Sequence, residues 1–375
     1  MDTRPERMNQ AENLLDRWDF EVRGPMRIGL SGFNTATGLG YQNRDLIDKL
    51  PIATWLIVEH PSKPSMETPA DLPVVVSPIT ASEDRIQDWL GEIDCLLFYE
   101  QPLIGGLPGL ARQRGIAVTC IANWEWLNPE SKWIDEIDAF VCPNRHTFDL
   151  LSKWKAERGA NWKLEHVPAP VDTNRFRPVV RRKCESFLFI NGQGGVCPYF
   201  PGWIRHRKGP PRKGLDVVLK AARKVPDISI LIRSQAELPA GIPRNVTLLP
   251  AVEENHELFA TGDVAIQPSY FEGTGLQMIE TLASGMPLVS TDAAPMNELP
   301  LLRSIRCDHR LGKVGGNPIQ VSIPDSSDLA RCMKECIGSD ISEASIAARM
   351  HAEKVHSWPN AIETMNRLLN QRTCS

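Results

Sequence analysis

The chain lacks any apolar run approaching the about 18 residues that a membrane-spanning helix requires. It opens on Met1-Asp2-Thr3-Arg4-Pro5-Glu6, with no charged-then-apolar secretory leader. No Cys-x-x-Cys pair occurs, and the nine cysteines are an odd number scattered along the sequence. That usage points to free thiols in a reducing, cytoplasmic compartment and away from a disulfide framework. Cys332 and Cys336 share one helix face, but no histidine lies near them in sequence, so they read as core thiols and not as metal ligands. Excess positive charge is missing as well. The net charge of −4 gives no global attraction to nucleic acid or to an anionic membrane. There is no Gly-x-Gly-x-x-Gly string and no phosphate-loop lysine, so neither dinucleotide nor ATP binding is indicated.

What is present suits a soluble two-domain protein. The chain has 375 residues, 42% of them hydrophobic and 23% charged, which is too long for one compact core. A polar, helix-prone leader carries Leu14, Leu15 and Trp18 at helical spacing. Short apolar runs then alternate with helical segments, at Met26–Leu30, Trp55–Val58, Val74–Val76, Cys95–Phe98, Ile116–Thr119 and Ala139–Val141. Continuous runs of this length read as parallel strands covered on both faces. The pattern restarts at Ser186–Gly192 and continues through Ile228–Ile232, Val246–Leu249 and Asp263–Ile266. The fold class expected is α/β, with two doubly wound, Rossmann-like domains facing a cleft.

Ligands of such domains sit beyond the carboxyl ends of the strands. The first of these ends leads into a loop carrying Gly38 and Gly40, where absent side chains would let backbone approach a ligand closely; a plain turn is the alternative. Two later ends carry unusual residues, Tyr99-Glu100-Gln101 and Asn123-Trp124-Glu125-Trp126. Trp124 and Trp126 are either stacking platforms or ordinary packing.

The most informative stretch is Phe271-Glu272-Gly273-Thr274-Gly275-Leu276-Gln277-Met278-Ile279-Glu280, framed by Val264-Ala265-Ile266 and Leu288-Val289-Ser290. It reads as strand, glycine turn, helix, Gly-Met-Pro stop, strand. A helix starting near Thr274-Gly275 turns free N–H groups toward whatever lies above the strand end. Glu272 and Glu280 are eight positions apart, and that spacing places both toward one ligand over the helix start. An anion site flanked by hydroxyl-accepting carboxylates suits a sugar nucleotide.

The whole string, Pro268-Ser269 through Glu272-Gly273, Gly275-Leu276 and Glu280, followed by Ala283, Gly285 and Pro287, resembles the retaining glycosyltransferases of family 4, which have the two-domain B-type fold. Val167-Pro168-Ala169-Pro170-Val171-Asp172, running on to Phe176 and Pro178, resembles that family's interdomain signature, and His356-Ser357-Trp358 its C-terminal element. The resemblance implies four segments: an extension over 1–25, an acceptor domain over 26–180, a donor domain over 181–356, and a last helix over 357–375 returning to the first domain.

By the same resemblance, Glu272 binds the donor sugar's hydroxyls and Glu280 the ribose. Gly273, Thr274, Gly275 and Leu276 offer N–H groups to the diphosphate, Gly38 and Gly40 approach it from across the cleft, and Leu249 and Ala251 meet the base. A Lys-Gly pair, here Lys213-Gly214, and an arginine neutralise the leaving diphosphate as charge develops on it. Arg207 is the choice on spacing, with Arg205 and Arg212 as rivals. Metal and cofactor are then not needed. The donor would be a nucleotide-diphospho-sugar such as UDP-glucose or GDP-mannose. The sequence departs from the family where a catalytic histidine is common, offering Asn123-Trp124-Glu125 instead. Asn123 and Glu125 become the candidate polar groups near the reacting carbon, with Trp124 and Trp126 on the acceptor side. A saccharide acceptor is expected. A hydroxymethylated pyrimidine in DNA would account for the basic stretch 205–213, and a non-catalytic sugar-nucleotide sensor is the reading outside enzymes.

Overall fold

The computed structural model describes residues 26–78, 83–192, 212–314 and 317–370. The leader containing Leu14, Leu15 and Trp18 lies outside the described residues. The first sheet is built from β1 (Ile28–Gly32), β2 (Ile52–Val58), β3 (Val74–Ser77), β4 (Cys95–Tyr99), β5 (Ala117–Ile121), β6 (Ala139–Cys142) and β7 (Lys163–His166). Its order is β3-β2-β1-β4-β5-β6-β7, parallel throughout, with Leu30 level with Trp55 on one side and Leu97 on the other.

The second sheet uses β8 (Ser186–Asn191), β9 (Ser229–Ser234), β10 (Val246–Leu248), β11 (Val264–Gln267), β12 (Leu288–Thr291) and β13 (Leu301–Ile305). They stand in the order β10-β9-β8-β11-β12-β13, again all parallel. The order reverses between β1 and β4 in one sheet and between β8 and β11 in the other, which fixes where each should hold a ligand. The molecule is thus a pair of Rossmann-like α/β domains, as the alternation of apolar runs predicts.

Period-two alternation splits each strand between two cores. Leu56, Val58, Leu96, Phe98, Val118 and Cys120 face one side of the first sheet, under α2 (Glu83–Leu90), α3 (Leu107–Gln113) and α4 (Arg145–Arg158). Trp55, Ile57, Cys95, Leu97 and Tyr99 face the other, under α1 (Gly38–Lys49) and α9 (Trp358–Leu369). The last helix therefore returns to the first sheet. Its Trp358, Ala361, Met365, Leu368 and Leu369 form one buried stripe at helical spacing, and each large apolar side chain so buried contributes about 1.5–3 kcal/mol.

The second sheet is covered on one face by α5 (Leu215–Ala222) and α7 (Ser326–Cys336). On the other face lie α6 (Leu276–Ala283) and α8 (Ser342–Val355), with linker residues Ala169, Val171 and Phe176 packed beside them. Cys332 and Cys336 are buried in the first of these cores, as expected of core thiols.

Between β13 and α7 the chain adds an antiparallel hairpin, β14 (Cys307–Val314) with β15 (Asn317–Pro324), which has no counterpart in the apolar pattern. Its outer strand, Cys-Asp-His-Arg-Leu-Gly-Lys-Val, is mostly charged or polar, whereas Ile319 and Val321 of β15 enter the core. Among the described residues no helix is long and apolar enough to cross a membrane.

Candidate functional site

The two domains meet over the Glu272-Gly273-Thr274 turn, which precedes α6. The first domain grips this turn at three points. Trp124 Nε1 donates to the Glu272 carbonyl at 2.7 Å, Asn144 Nδ2 donates to the Gly273 carbonyl at 2.6 Å, and Thr274 Oγ1 donates to Asn123 Oδ1 at 2.7 Å. Asn144 also caps α4, its Oδ1 accepting from Thr147 N at 2.9 Å. Nearby, the Glu298 carboxylate of the second domain accepts from the N–H groups of Arg145 and His146, both at 2.7 Å, at the positive end of the same helix. These contacts use carbonyl and side-chain atoms of the turn. The N–H groups of Gly273, Thr274, Gly275 and Leu276 make no hydrogen bond among the described residues. Gly275 caps α6 with φ of 71°, a left-handed conformation suited to glycine, so four adjacent donors stand at the start of the helix.

Glu272 is 2% exposed and turned inward. Lys213 Nζ lies 2.7 Å from its Oε1 and 2.9 Å from its Oε2, Arg212 Nη2 is 3.1 Å from Oε2, and Ser269 Oγ donates to Oε1 at 2.6 Å. An ionised carboxylate has about four acceptor positions, and these contacts fill them. Burial pushes the Glu272 carboxyl up, but Lys213 and Arg212 together draw it below the usual carboxylate range. In this structure Glu272 is the counter-ion that fixes two cations. Glu272 stands in the loop and Glu280 in the helix, as expected, but their eight-residue spacing does not by itself turn both toward one ligand. The helix begins after Gly275, so Glu272 lies outside it and the helical period does not relate the two acids.

Lys213 is held by the turn into α5. Gly214 caps that helix with φ of 82°, and a Cβ there would fall 2.0 Å from the Pro268 carbonyl. The Lys-Gly pairing is therefore a steric need, since the cation is carried on backbone that touches the β11 end. Arg212 stacks its guanidinium on Phe271 at 4.5 Å and reaches Glu125 Oε1 at 3.5 Å. Of the three arginine rivals Arg212 meets the cluster, while Arg205 and Arg207 lie outside the described residues.

Glu125 is also 2% exposed. Burial raises its carboxyl to about 7, Arg212 opposing. Its Oε2 has no partner and is sealed from solvent. Both oxygens lie against Gly273, where a Cβ would sit 2.3 Å and 2.5 Å from them. A direct contact with an acceptor is closed to Glu125 in this arrangement. Trp124 is corrected similarly. It is buried, packs in the second domain's core with its ring edge-on to His146 at 4.7 Å, and acts as an interdomain bolt, not as a stacking platform. Trp126 is half-buried one turn away, in a single 3-10 turn over 124–126.

Glu280 sits apart, buried on α6. Asn255 Nδ2 donates to its Oε1 at 2.7 Å, and burial lifts its carboxyl to about 7. The charges of Asp45, from the first domain, and Arg175, from the linker, also act on it, Asp45 raising the carboxyl and Arg175 opposing. Leu249 continues the β9 ladder, its N–H donating to Ile232 O at 2.8 Å, and Ala251 is exposed just beyond. Gly38 has open space above it. Gly40 does not: a Cβ there would lie 2.0 Å from the Thr35 carbonyl, so this glycine serves the chain's own turn rather than close approach to a ligand.

Sequence reasoning assigned no role to Asn144, Asn255, Glu298 or Glu100, and Ser269 entered only as part of the motif string. Glu100 stood out only as an odd residue at a strand end; the others carried no local signal, because their roles come from distant partners. Among the described residues no group of three His, Cys, Asp or Glu side chains is arranged to hold a metal ion.

Residues 202–335 match the family described as glycosyl transferases group 1. Over 191 residues the chain is 30% identical to a D-inositol 3-phosphate glycosyltransferase of Mycobacterium leprae, a stretch covering 46% of this chain and 41% of that protein. The enzyme of the same name from Mycobacterium tuberculosis is 29% identical over 255 residues, or 63% of this chain and 49% of its own. The matches thus span about half of these relatives' length. In structure the chain is similar to Anabaena HepE, solved with UDP and glucose, at a TM-score of 0.63 and 12% identity over 92% of this chain and 99% of that one. Sucrose-phosphate synthase of Thermosynechococcus elongatus gives a TM-score of 0.62 at 13% identity over 92% and 98%. The fold is the B-type glycosyltransferase fold.

Proposed function

We propose that this protein is a glycosyltransferase that moves a sugar from a nucleotide-diphospho-sugar to a hydroxyl of a saccharide, with retention of anomeric configuration. The observation that carries the reading is the convergence of four unengaged N–H groups, from Gly273 to Leu276, with Lys213 and Arg212 at one turn beside the β8/β11 reversal. A diphosphate on that turn would meet a helix start and two fixed cations. The group 1 match over 202–335 covers this region, and the similar HepE structure holds UDP and glucose.

In this reading Glu280 receives the ribose hydroxyls. Glu272 keeps the two cations in place, and the cations stabilise the charge that gathers on the leaving diphosphate. Lys213 and Arg212 do the work a divalent ion would do elsewhere, so the transfer is metal-independent. Leu249 and Ala251 flank the base, and Gly38 stands open on the facing domain. Among the described residues nothing at the site favours a DNA acceptor: Arg212 and Lys213, the described cations of the basic stretch, are turned inward onto Glu272.

The test is turnover. With UDP-glucose or GDP-mannose and a panel of neutral sugars, the protein should release the nucleoside diphosphate and form a glycoside of the donor's anomeric configuration. Binding of the donor with no release under any acceptor would mark a sensor and refute the proposal.

A further inference from the structure

We infer that Glu100 holds the acceptor, accepting a hydrogen bond from a hydroxyl of an uncharged saccharide. The inference rests on the glycosyltransferase reading above and extends it to the facing domain. Glu100 follows β4, beside the β1/β4 reversal where the first sheet should present a ligand. Its φ is 63°, and it is the one non-glycine residue with positive φ among the described residues. A glutamate has no local reason to adopt that backbone, which costs on the order of 1–3 kcal/mol and tends to be retained where function needs the side chain. The strain is held by Glu100 N donating to Ile121 O at 2.8 Å and by Asn123 Nδ2 donating to Glu100 Oε1 at 2.9 Å.

Asn123 in turn accepts from Thr274 Oγ1, so one chain of hydrogen bonds runs from Glu100 to the turn proposed to hold the diphosphate. This places the carboxylate in register with the donor whenever the domains are closed. The neighbouring acids are not equivalent to it. Glu272 has its acceptor positions filled, and Glu125 Oε2 is sealed beneath the turn. Glu100 Oε1 is occupied by Asn123, whereas its Oε2 accepts nothing among the described residues and is not one of the sealed polar atoms. It is thus the acid on the first domain's side of this cluster with an open acceptor. Burial raises the Glu100 carboxyl, with the Asn123 hydrogen bond and the Arg212 charge opposing. An open carboxyl oxygen suits an uncharged hydroxyl, which is why the acceptor class is a neutral saccharide.

The experiment uses the full chain with UDP-glucose and GDP-mannose as donors and methyl glycosides of glucose, galactose and N-acetylglucosamine as acceptors, alongside glucose 6-phosphate. Glu100→Gln keeps an oxygen for Asn123 but presents an amide donor to the acceptor. It should leave the donor KM within about twofold and lower kcat/KM for the acceptor by roughly 10- to 100-fold, the range expected when a hydrogen bond to a charged group is lost. Glu100→Gly relieves the backbone strain but also removes the Asn123 contact; it should lose the same acceptor dependence with the donor KM kept within about twofold. Unchanged acceptor kinetics in Glu100→Gln, or a preference for glucose 6-phosphate over the neutral glycosides, would each overturn the inference. So would a wild type that binds donor but is stimulated by none of the neutral sugars, with the donor reading left standing. A wild type that binds neither donor refutes the function itself.

Discussion

Replacing Glu272 by glutamine probes the centre of the interface with an almost isosteric change. The side chain is 2% exposed, and Lys213 and Arg212, with side chains only 14% and 17% exposed, have it as their nearest ionic partner at 2.7 Å and 3.1 Å. Glutamine retains one carbonyl oxygen for Ser269 or Lys213 but leaves Lys213 without its counter-charge and Arg212 with only the more distant Glu125, at 3.5 Å. Removing one partner of a buried pair costs about 3–5 kcal/mol, and for a domain of this size each kcal/mol lowers Tm by roughly 2–4 °C. The expected fall in Tm is therefore about 6–20 °C by calorimetry at neutral pH. The pH dependence carries the sign. The Glu272 carboxyl is depressed in the folded state, so its contribution is present above the ordinary carboxylate range near 4.5 and is lost as pH falls through the lower folded value. The gap between wild type and Glu272→Gln should narrow on acidification below about pH 4.5. Adding Lys213→Met to the variant should recover part of the loss, because the stranded charge is removed with it. A Glu272→Gln protein within about 1 kcal/mol of wild type, or a gap that does not narrow in acid, would refute the counter-ion role.

Two further outcomes follow from the geometry. Gly214→Ala places a Cβ 2.0 Å from a backbone carbonyl at φ of 82°, so it should destabilise by roughly 2–4 kcal/mol, combining left-handed strain with overpacking, as read by urea unfolding. Glu125 has the opposite titration to Glu272. Its carboxyl is raised to about 7, so its stabilising contribution is full below about pH 4.5 and is lost as pH rises through 7. Glu125→Gln should gain stability relative to wild type between pH 5 and pH 8, and a difference that stays flat across that window would mean that Arg212 keeps Glu125 ionised throughout.

The sheets were legible because parallel strands covered on both faces read as continuous apolar runs, and Trp55–Val58 or Cys95–Phe98 can hardly be anything else. The edge strand β7, Lys163-Leu164-Glu165-His166, and the charged outer strand β14 carry no such run, since half or more of each faces solvent. The Glu272 to Glu280 string marked the turn against which Lys213 lies. It did not disclose where the carboxylates point. That depends on Lys213 and Arg212, 59 and 60 residues away, and on Asn144, Trp124 and Asn123, which arrive from another domain. Trp124 illustrates the limit well: in sequence an aromatic beside a strand end suits a platform or a core equally, and only the partner for its indole N–H decides. Gly40 shows the same ambiguity on the backbone, because a glycine in a loop serves either a ligand or its own turn.

The central claim is that the turn before α6 and Glu280 together grip a sugar-bound diphosphate. It is tested most directly by thermal shift with UDP, GDP and ADP sugars, run in parallel on wild type and Glu280→Ala. At least one nucleotide sugar should raise the wild-type Tm, by an amount that grows with its concentration, and the alanine variant should show no such rise. A shift of full size in Glu280→Ala, or none from any nucleotide sugar in the wild type, would contradict the account.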